Sequence, residues 1–215
     1  MNRKIIFSII TSISLIVITS CTTVPAVSNN TSTNTISTSE SMNTTAVMDP
    51  NLACSAGQTS ANTTVELTEG PYYTPGSPED ASLYKEGMTG IKLIVTGYVY
   101  DTNCQPVANA WLDFWQADAN GVYDNSGYTL RGHQYTDSTG RFELVTVVPG
   151  IYPGRTEHIH FKVQAPNGNV ITSQLFFPGV TQNDSDGIYD DSLLLSIQET
   201  SDGLLGQYNF VVPTQ

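Results

Sequence analysis

Basic side chains are scarce in this chain: 8 Lys and Arg stand against 20 Asp and Glu, a formal charge of −12. That deficit argues against nucleic acid as a partner, because phosphate backbones are held by basic patches. It also weighs against a strongly anionic ligand, and most of the acids serve as a solvated surface. Histidine is rarer still, with 3 in 215 residues. Cysteine numbers 3 as well. No long stretch keeps apolar residues at helical spacing, which speaks against a helical fold. Internal repeats are absent too. The apolar run from Ile5 to Ile18 is too short to cross a bilayer comfortably.

That run sits behind Arg3 and Lys4, so residues 1–20 have the form of a targeting signal. It closes on Ile18-Thr19-Ser20-Cys21, which resembles the lipobox of a bacterial lipoprotein. The resemblance implies a diacylated Cys21 as the mature N-terminus and an exported, membrane-anchored protein, on the outer membrane in a Gram-negative cell. An ordinary secretory signal with an incidental cysteine is the plainer alternative. Residues 21–51 are rich in Ser, Thr and Asn and too polar to offset their chain entropy, so they read as a flexible tether. Residues 52–215 remain as one domain, enough for one core. The remaining cysteines, Cys54 and Cys104, form an even pair, and in an exported protein that suggests a disulfide.

Within the domain, short β-branched and aromatic runs alternate with turn chemistry. Strands are expected at Ile91–Tyr100, Ala110–Gln116, Gln134–Thr136, Arg141–Val147, His158–Gln164, Val170–Phe176, Leu193–Gln198 and Gln207–Val212. Turns are expected at Asp101-Thr102-Asn103, Asp118-Ala119-Asn120-Gly121, Asp137-Ser138-Thr139-Gly140 and Ala165-Pro166-Asn167-Gly168-Asn169. Many short strands at this spacing predict an all-β protein, an antiparallel β-sandwich.

Two of the three histidines fall in His158-Ile159-His160, at the head of a strand. Residues two apart on a strand face the same way, so both imidazoles can serve one metal ion. Tyr152 lies six residues earlier, and Tyr123 ends the segment that begins at Trp115. Tyrosine is a rare ligand because its phenol ionises near pH 10. A trivalent ion lowers that value by direct charge stabilisation, and a hard phenolate suits hard Fe(III). Two phenolates and two imidazoles therefore point to ferric iron, with a fifth position for a hydroxide that substrate replaces. Glu157 alternates to the opposite side of an extended strand and makes a poor ligand.

Leu67-Thr68-Glu69-Gly70-Pro71-Tyr72-Tyr73, Trp115 to Tyr123, Leu130-Arg131-Gly132, Thr136-Asp137 with Gly140, and Pro149 to His160 resemble, in order, the intradiol ring-cleavage dioxygenases. The likeness covers roughly residues 66–178 and is nearest to the secreted, single-domain branch. It implies Tyr123 and His158 as equatorial ligands, and Tyr152 opposite His160 on the axis. It implies a catechol that chelates the iron as a dianion, displacing Tyr152 and hydroxide. Both atoms of O2 would enter the ring, and cleavage between the hydroxylated carbons would give a cis,cis-muconate-type diacid. Arg155 would stabilise charge developing on the ring, and Gln174 would lie near the iron. Tyr72 and Tyr73 either line the pocket mouth or pack at the domain edge. Gly154 stands where many soluble relatives carry Trp, and the segment from Tyr152 to Arg155 is shorter, so one pocket wall should be open.

Other residues carry plainer expectations. Trp111 and Trp115 share a strand face and are expected in the core, and His133 on a strand or at the pocket edge. The acidic stretch Asn183-Asp184-Ser185-Asp186-Gly187 lacks an EF-hand's closing Glu and is expected to be a solvated loop. The rival to an enzyme is a non-catalytic β-sandwich lipoprotein that binds a carbohydrate or a protein.

Overall fold

The structure, a computed structural model, describes Asp49 and residues 52–214. The expected signal segment, Cys21 and all of the expected tether but Asp49 lie outside the described residues. Among the described residues nine strands follow one another: β1 Lys92–Asp101, β2 Trp111–Trp115, β3 Arg131–Tyr135, β4 Arg141–Val147, β5 His158–Gln164, β6 Val170–Phe176, β7 Ser196–Thr200, β8 Gly203–Gln207 and β9 Phe210–Val212. Two short 3-10 turns, Thr181–Ser185 and Asp191–Leu193, are the helical elements among the described residues.

The strands form two sheets. One has the order β4-β1-β8-β7, with β9 also pairing β1, and the other the order β3-β2-β5-β6. Period-two alternation explains their packing. Leu93, Val95 and Val99 of β1 face inward, as do Leu112 and Phe114 of β2 and Ile159, Phe161 and Val163 of β5, all buried. Phe142, Phe161 and Phe210 form the aromatic centre, with ring centroids 5.2 Å and 4.6 Å from Phe210.

The second sheet is antiparallel throughout. The first is mixed, because β1 pairs parallel with both β8 and β9. The expected strand Gln207–Val212 is accordingly broken at Tyr208 and Asn209. There the chain crosses β1 so closely that a Cβ on Gly97 would stand 1.7 Å from the Tyr208 carbonyl oxygen. The Asn209 side chain repairs the broken ladder by accepting from the Tyr98 N–H at 3.1 Å. The expected strand Leu193–Gln198 also begins later, at Ser196, because Leu193 closes a 3-10 turn whose cap is the Asp190 carboxylate. β3 starts three residues before the expected Gln134. Its unpromising Arg131-Gly132 opening is held by β2, and Gly132 lets the Asp80 carbonyl approach to within 2.6 Å of where a Cβ would stand. The strands β4, β5 and β6 fall on their expected limits.

Cys54 and Cys104 form a disulfide across a sequence separation of 50. It ties the start of the domain to the turn after β1, beside the hydrogen bond from the Ala61 N–H to the Thr102 carbonyl at 3.1 Å. Asp49 joins the fold from outside that loop, accepting from the Ser196 hydroxyl at 2.7 Å.

Two stability predictions follow from this packing. Replacing both cysteines with serine should lower stability by about 4 kcal/mol, the chain-entropy value for a loop of this length. Urea denaturation should show it, with the parent protein under reductant shifting to match. Phe161→Ala should cost about 3–5 kcal/mol in the same assay, because it removes a fully buried ring packed on Phe210.

Candidate metal centre

The outward face of the second sheet is buried as well, and this is where the candidate residues meet. Strand register lines up Arg131, Trp115, His160 and Gln174 side by side across β3, β2, β5 and β6. All four are buried. His158, one step along β5, lies opposite Phe176. The Trp115 ring lies flat against His160, with centroids 4.8 Å apart and planes within 8°. The chain also passes His160 at Gly70, where a Cβ would stand 3.3 Å from the ring. Gly70 also has φ of +72°, so both conformation and space favour glycine there.

The tyrosines arrive on two loops that abut. Asp118 accepts at its carbonyl from the N–H groups of Gly121 (3.0 Å) and Gly150 (2.8 Å). A Cβ on Gly121 would stand 2.3 Å from the Ile151 carbonyl oxygen, and one on Gly150 would stand 2.5 Å from the Ala119 carbonyl oxygen. These glycines let the loop before Tyr123 rest directly on the loop before Tyr152. The two rings then meet edge to face at 5.8 Å, and Tyr152 stands 5.6 Å from the His158 ring. Tyr123 is buried and Tyr152 half-buried.

The donor atoms converge. His158 Nε2 lies 3.1 Å from His160 Nε2 and 3.3 Å from Tyr123 Oη. The His158 Nδ1 is 2.7 Å from the Thr156 carbonyl, which can only accept, so Nδ1 carries the proton and Nε2 presents a lone pair. His160 Nδ1 has no hydrogen-bond partner although it is buried. Two ligand atoms bound at about 2.1 Å and a right angle to one ion stand about 3.0 Å apart, so the imidazole spacing suits a shared metal. Among the described residues no group of three or more His, Cys, Asp and Glu side chains gathers to hold a metal. A metal here would need the phenolates, and a hard trivalent ion fits that donor set.

Electrostatics agree with this fit. Burial pushes His158 down to about 4 and His160 well below its usual value, so both are neutral ligands at pH 7. Burial raises the Tyr123 phenol, the neighbouring Tyr152 adds to the rise, and Arg155 and Arg131 oppose it. Burial likewise raises Tyr152, against the pull of Arg155. Without a cation both tyrosines keep their protons.

Arg155 is anchored on three sides. It donates through Nε to Asp186 at 2.9 Å, through Nη2 to the Gln174 side-chain oxygen, and weakly through Nη1 to Tyr152 Oη at 3.5 Å. Gln174 in turn donates to the Thr68 carbonyl at 3.1 Å. Asp186 also accepts from the Thr156 N–H at 2.8 Å, and the Thr156 hydroxyl donates to Asn183 at 2.5 Å. The clamp that orients His158 and the one that holds Arg155 thus share Thr156. Tyr72 stacks on Tyr123 at 4.4 Å, which makes it a wall of the site. Tyr73 packs instead against Trp115 and donates to the buried Asp113 at 3.0 Å. Arg131 is buried beneath Tyr123 and spends its donors on the carbonyls of Asp124 and Tyr72.

Asp186 and Trp111 sit otherwise than expected. Asp186 is not solvated: its side chain is 2% exposed, and the 3-10 turn before it folds it inward onto Arg155. Trp115 is buried as expected and also belongs to the site, whereas Trp111 is only half-buried, beside His133. His133 lies on a strand, β3, as expected, with Nδ1 2.8 Å from the Ser77 carbonyl. Sequence reasoning missed the roles of Asp186, Thr156 and Asn183; an Asp within a short acidic stretch gave no signal of its partner 31 residues away.

Comparison with known proteins gives a consistent picture. The family model described as dioxygenase matches residues 68–213. A solved dioxygenase domain, from a dioxygenase carbohydrate-binding protein fusion of Streptomyces sp. SirexAA-E, is 45% identical with a TM-score of 0.70, over 72% of this chain and 100% of that one. An intradiol ring-cleavage dioxygenase from Tetranychus urticae is 26% identical with a TM-score of 0.65, over 71% of this chain and 95% of that one. A catechol 1,2-dioxygenase from Candida albicans is 27% identical over 157 residues, 60% of this chain and 52% of that protein. The chain spans about half the length of the curated relatives it matches.

The abutting loops carry their own prediction. Gly150→Ala should force them apart and cost about 1–3 kcal/mol, as overpacking does. Metal content after dialysis should fall relative to the parent, because Tyr123 and Tyr152 lose their common support.

Proposed function

Because the chain belongs to the intradiol ring-cleavage dioxygenase family, we propose that Tyr123, Tyr152, His158 and His160 hold a non-haem ferric ion at which catechol-type diols are cleaved. Both atoms of O2 enter the product, a cis,cis-muconate-type diacid. The observation that carries this reading is the convergence of two neutral imidazole nitrogens and a buried phenol oxygen within 3.1–3.3 Å. When bound, the ion supplies a Lewis-acidic, redox-active centre that chelates both diol oxygens and draws electron density from the ring.

The chain's own groups do the rest. Thr156 fixes the His158 tautomer, and Trp115 fixes the plane of His160. Tyr152, half-buried and beside Arg155, is the phenolate suited to leave and to take a diol proton at Oη. Arg155, held by Asp186 and Gln174, offers preorganised N–H donors for charge that develops on the ring and its oxygens. Tyr72, stacked on Tyr123, walls the space in which the ring would lie. Phe176 and Trp115 keep water from the histidines.

The same reading extends to the rest of the chain. Residues 1–20 act as an export signal, Cys21 carries the lipid, and the segment to residue 51 tethers the domain of residues 52–215 outside the cell's inner membrane. The enzyme would thus meet catechols beyond the cytoplasm.

Visible absorption and oxygen uptake test this. The iron-loaded protein should be burgundy from phenolate-to-iron charge transfer, and its band should move when 4-methylcatechol is added under argon. Air should then bleach the complex with one O2 consumed per diol. Tyr123→Phe should weaken the band and lower kcat/KM by at least about 100-fold, the upper range for loss of a metal-orienting group. A protein that stays colourless after iron loading would leave a non-catalytic binding role in its place.

A further inference from the structure

Resting on that dioxygenase reading, we propose that the substrate is a catechol without an anionic ring substituent, and that Asp186 sets this preference by neutralising Arg155. Of the eight Lys and Arg residues of the chain, all but Arg3 and Lys4 lie among the described residues. Those near the site are already committed. Arg131 is buried and spends its N–H groups on backbone carbonyls. Lys162 lies over the Tyr73 ring at 4.5 Å and is bonded to Glu69 at 2.6 Å and to Thr172 at 3.0 Å. Arg155 is paired with Asp186 through a contact that is 13% exposed on the arginine side and 2% on the aspartate side. The others act elsewhere: Lys85 pairs with Asp80, Arg141 with Glu143, and Lys92 lies over Tyr84.

The Asp186 carboxylate is a permanent partner. Burial pushes its pKa up, but the N–H groups of Thr156 and Ile188 and the Arg155 guanidinium more than offset this and hold it below the usual carboxylate range. Its Oδ1 accepts from Ile188 at 2.9 Å while Oδ2 takes Arg155 and Thr156. Arg155 therefore polarises its surroundings without a net charge to spare. Beside it a cleft of about 260 Å³ opens between Tyr152, Ile151, Pro153, Gly154 and Gln182. Arg155 and Asp186 are the charged residues of that cleft, and each is the other's partner. Gly154 places nothing within 4 Å of where its Cβ would be, so the wall there is open. A methyl, ester or aryl substituent fits such surroundings. A carboxylate there would meet the Asp186 carboxylate and find the Arg155 donors already committed to Asp186 and Gln174.

An ester and its acid separate charge from size. Methyl 3,4-dihydroxybenzoate, 3,4-dihydroxybenzoate and 4-methylcatechol would be titrated into the iron-loaded full chain under argon, followed by the visible band, and then turned over in air. The ester and 4-methylcatechol should bind and react, with the acid on the order of tenfold or more weaker in both affinity and kcat/KM. Asp186→Asn should narrow the gap between ester and acid, and Asp186→Glu should restore it. In the metal-free protein, the Arg155 Nε–H resonance should exchange slowly with solvent and lose that protection in Asp186→Asn. Acid binding as tightly as ester would overturn the proposal and leave the dioxygenase reading intact. An unchanged ester-to-acid ratio in Asp186→Asn would do the same. If none of the three diols moved the band, both would fall.

Discussion

Two imidazole nitrogens 3.1 Å apart, walled off from water, are an arrangement that the surrounding structure must enforce. Neither nitrogen can satisfy the other well when both present lone pairs, and burial forbids relief by protonation. The outer face of the second sheet is organised around holding them there. Trp115 fixes one ring from the neighbouring strand, the Thr156 carbonyl fixes the other from the same chain, and Gly70 lets the N-terminal segment close over the top. An open β-sandwich could leave this face wet. Here it is roofed by loops, so β5 is buried at His158 and His160 on one side and at Ile159, Phe161 and Val163 on the other.

Charge is handled with the same economy. The two arginines of the site are satisfied in different ways, and the difference matters. Arg131 is met by carbonyl dipoles, so its charge persists beneath Tyr123 and favours a phenolate there. Arg155 is met by a full carboxylate and a side-chain amide, so it is rigid and locally neutral. Both arginines oppose the rise that burial imposes on Tyr123, and Arg155 opposes that of Tyr152 as well. An acidic protein can operate such a site because these charges are balanced at short range, inside a region that solvent and salt screen poorly.

Much of this was legible in the chain itself. The spacing of His158 and His160 follows from the two-residue period of a strand, and β4, β5 and β6 are bounded by turn residues that fix their limits. The ordered tyrosine, arginine and histidine motifs gave the family. The parallel pairing of β8 and β9 with β1 was not legible, since it depends on a close crossing at Gly97 that alternation does not encode. Nor was the turn-in of Asp186, whose polar neighbourhood reads as a surface loop until the 3-10 turn aims it at Arg155.

The sequence by itself determined the all-β character, the shared orientation of the two histidines and the inventory of donor side chains, because each of these rests on local periodicity or residue chemistry. Only the tertiary structure decided which loops abut, which tyrosine is buried, that Trp115 serves the site while Trp111 does not, and that Asp186 neutralises Arg155. Those outcomes depend on contacts between residues far apart in the chain, where one glycine at a crossing or one inward turn sets the geometry, and no short-range pattern records them.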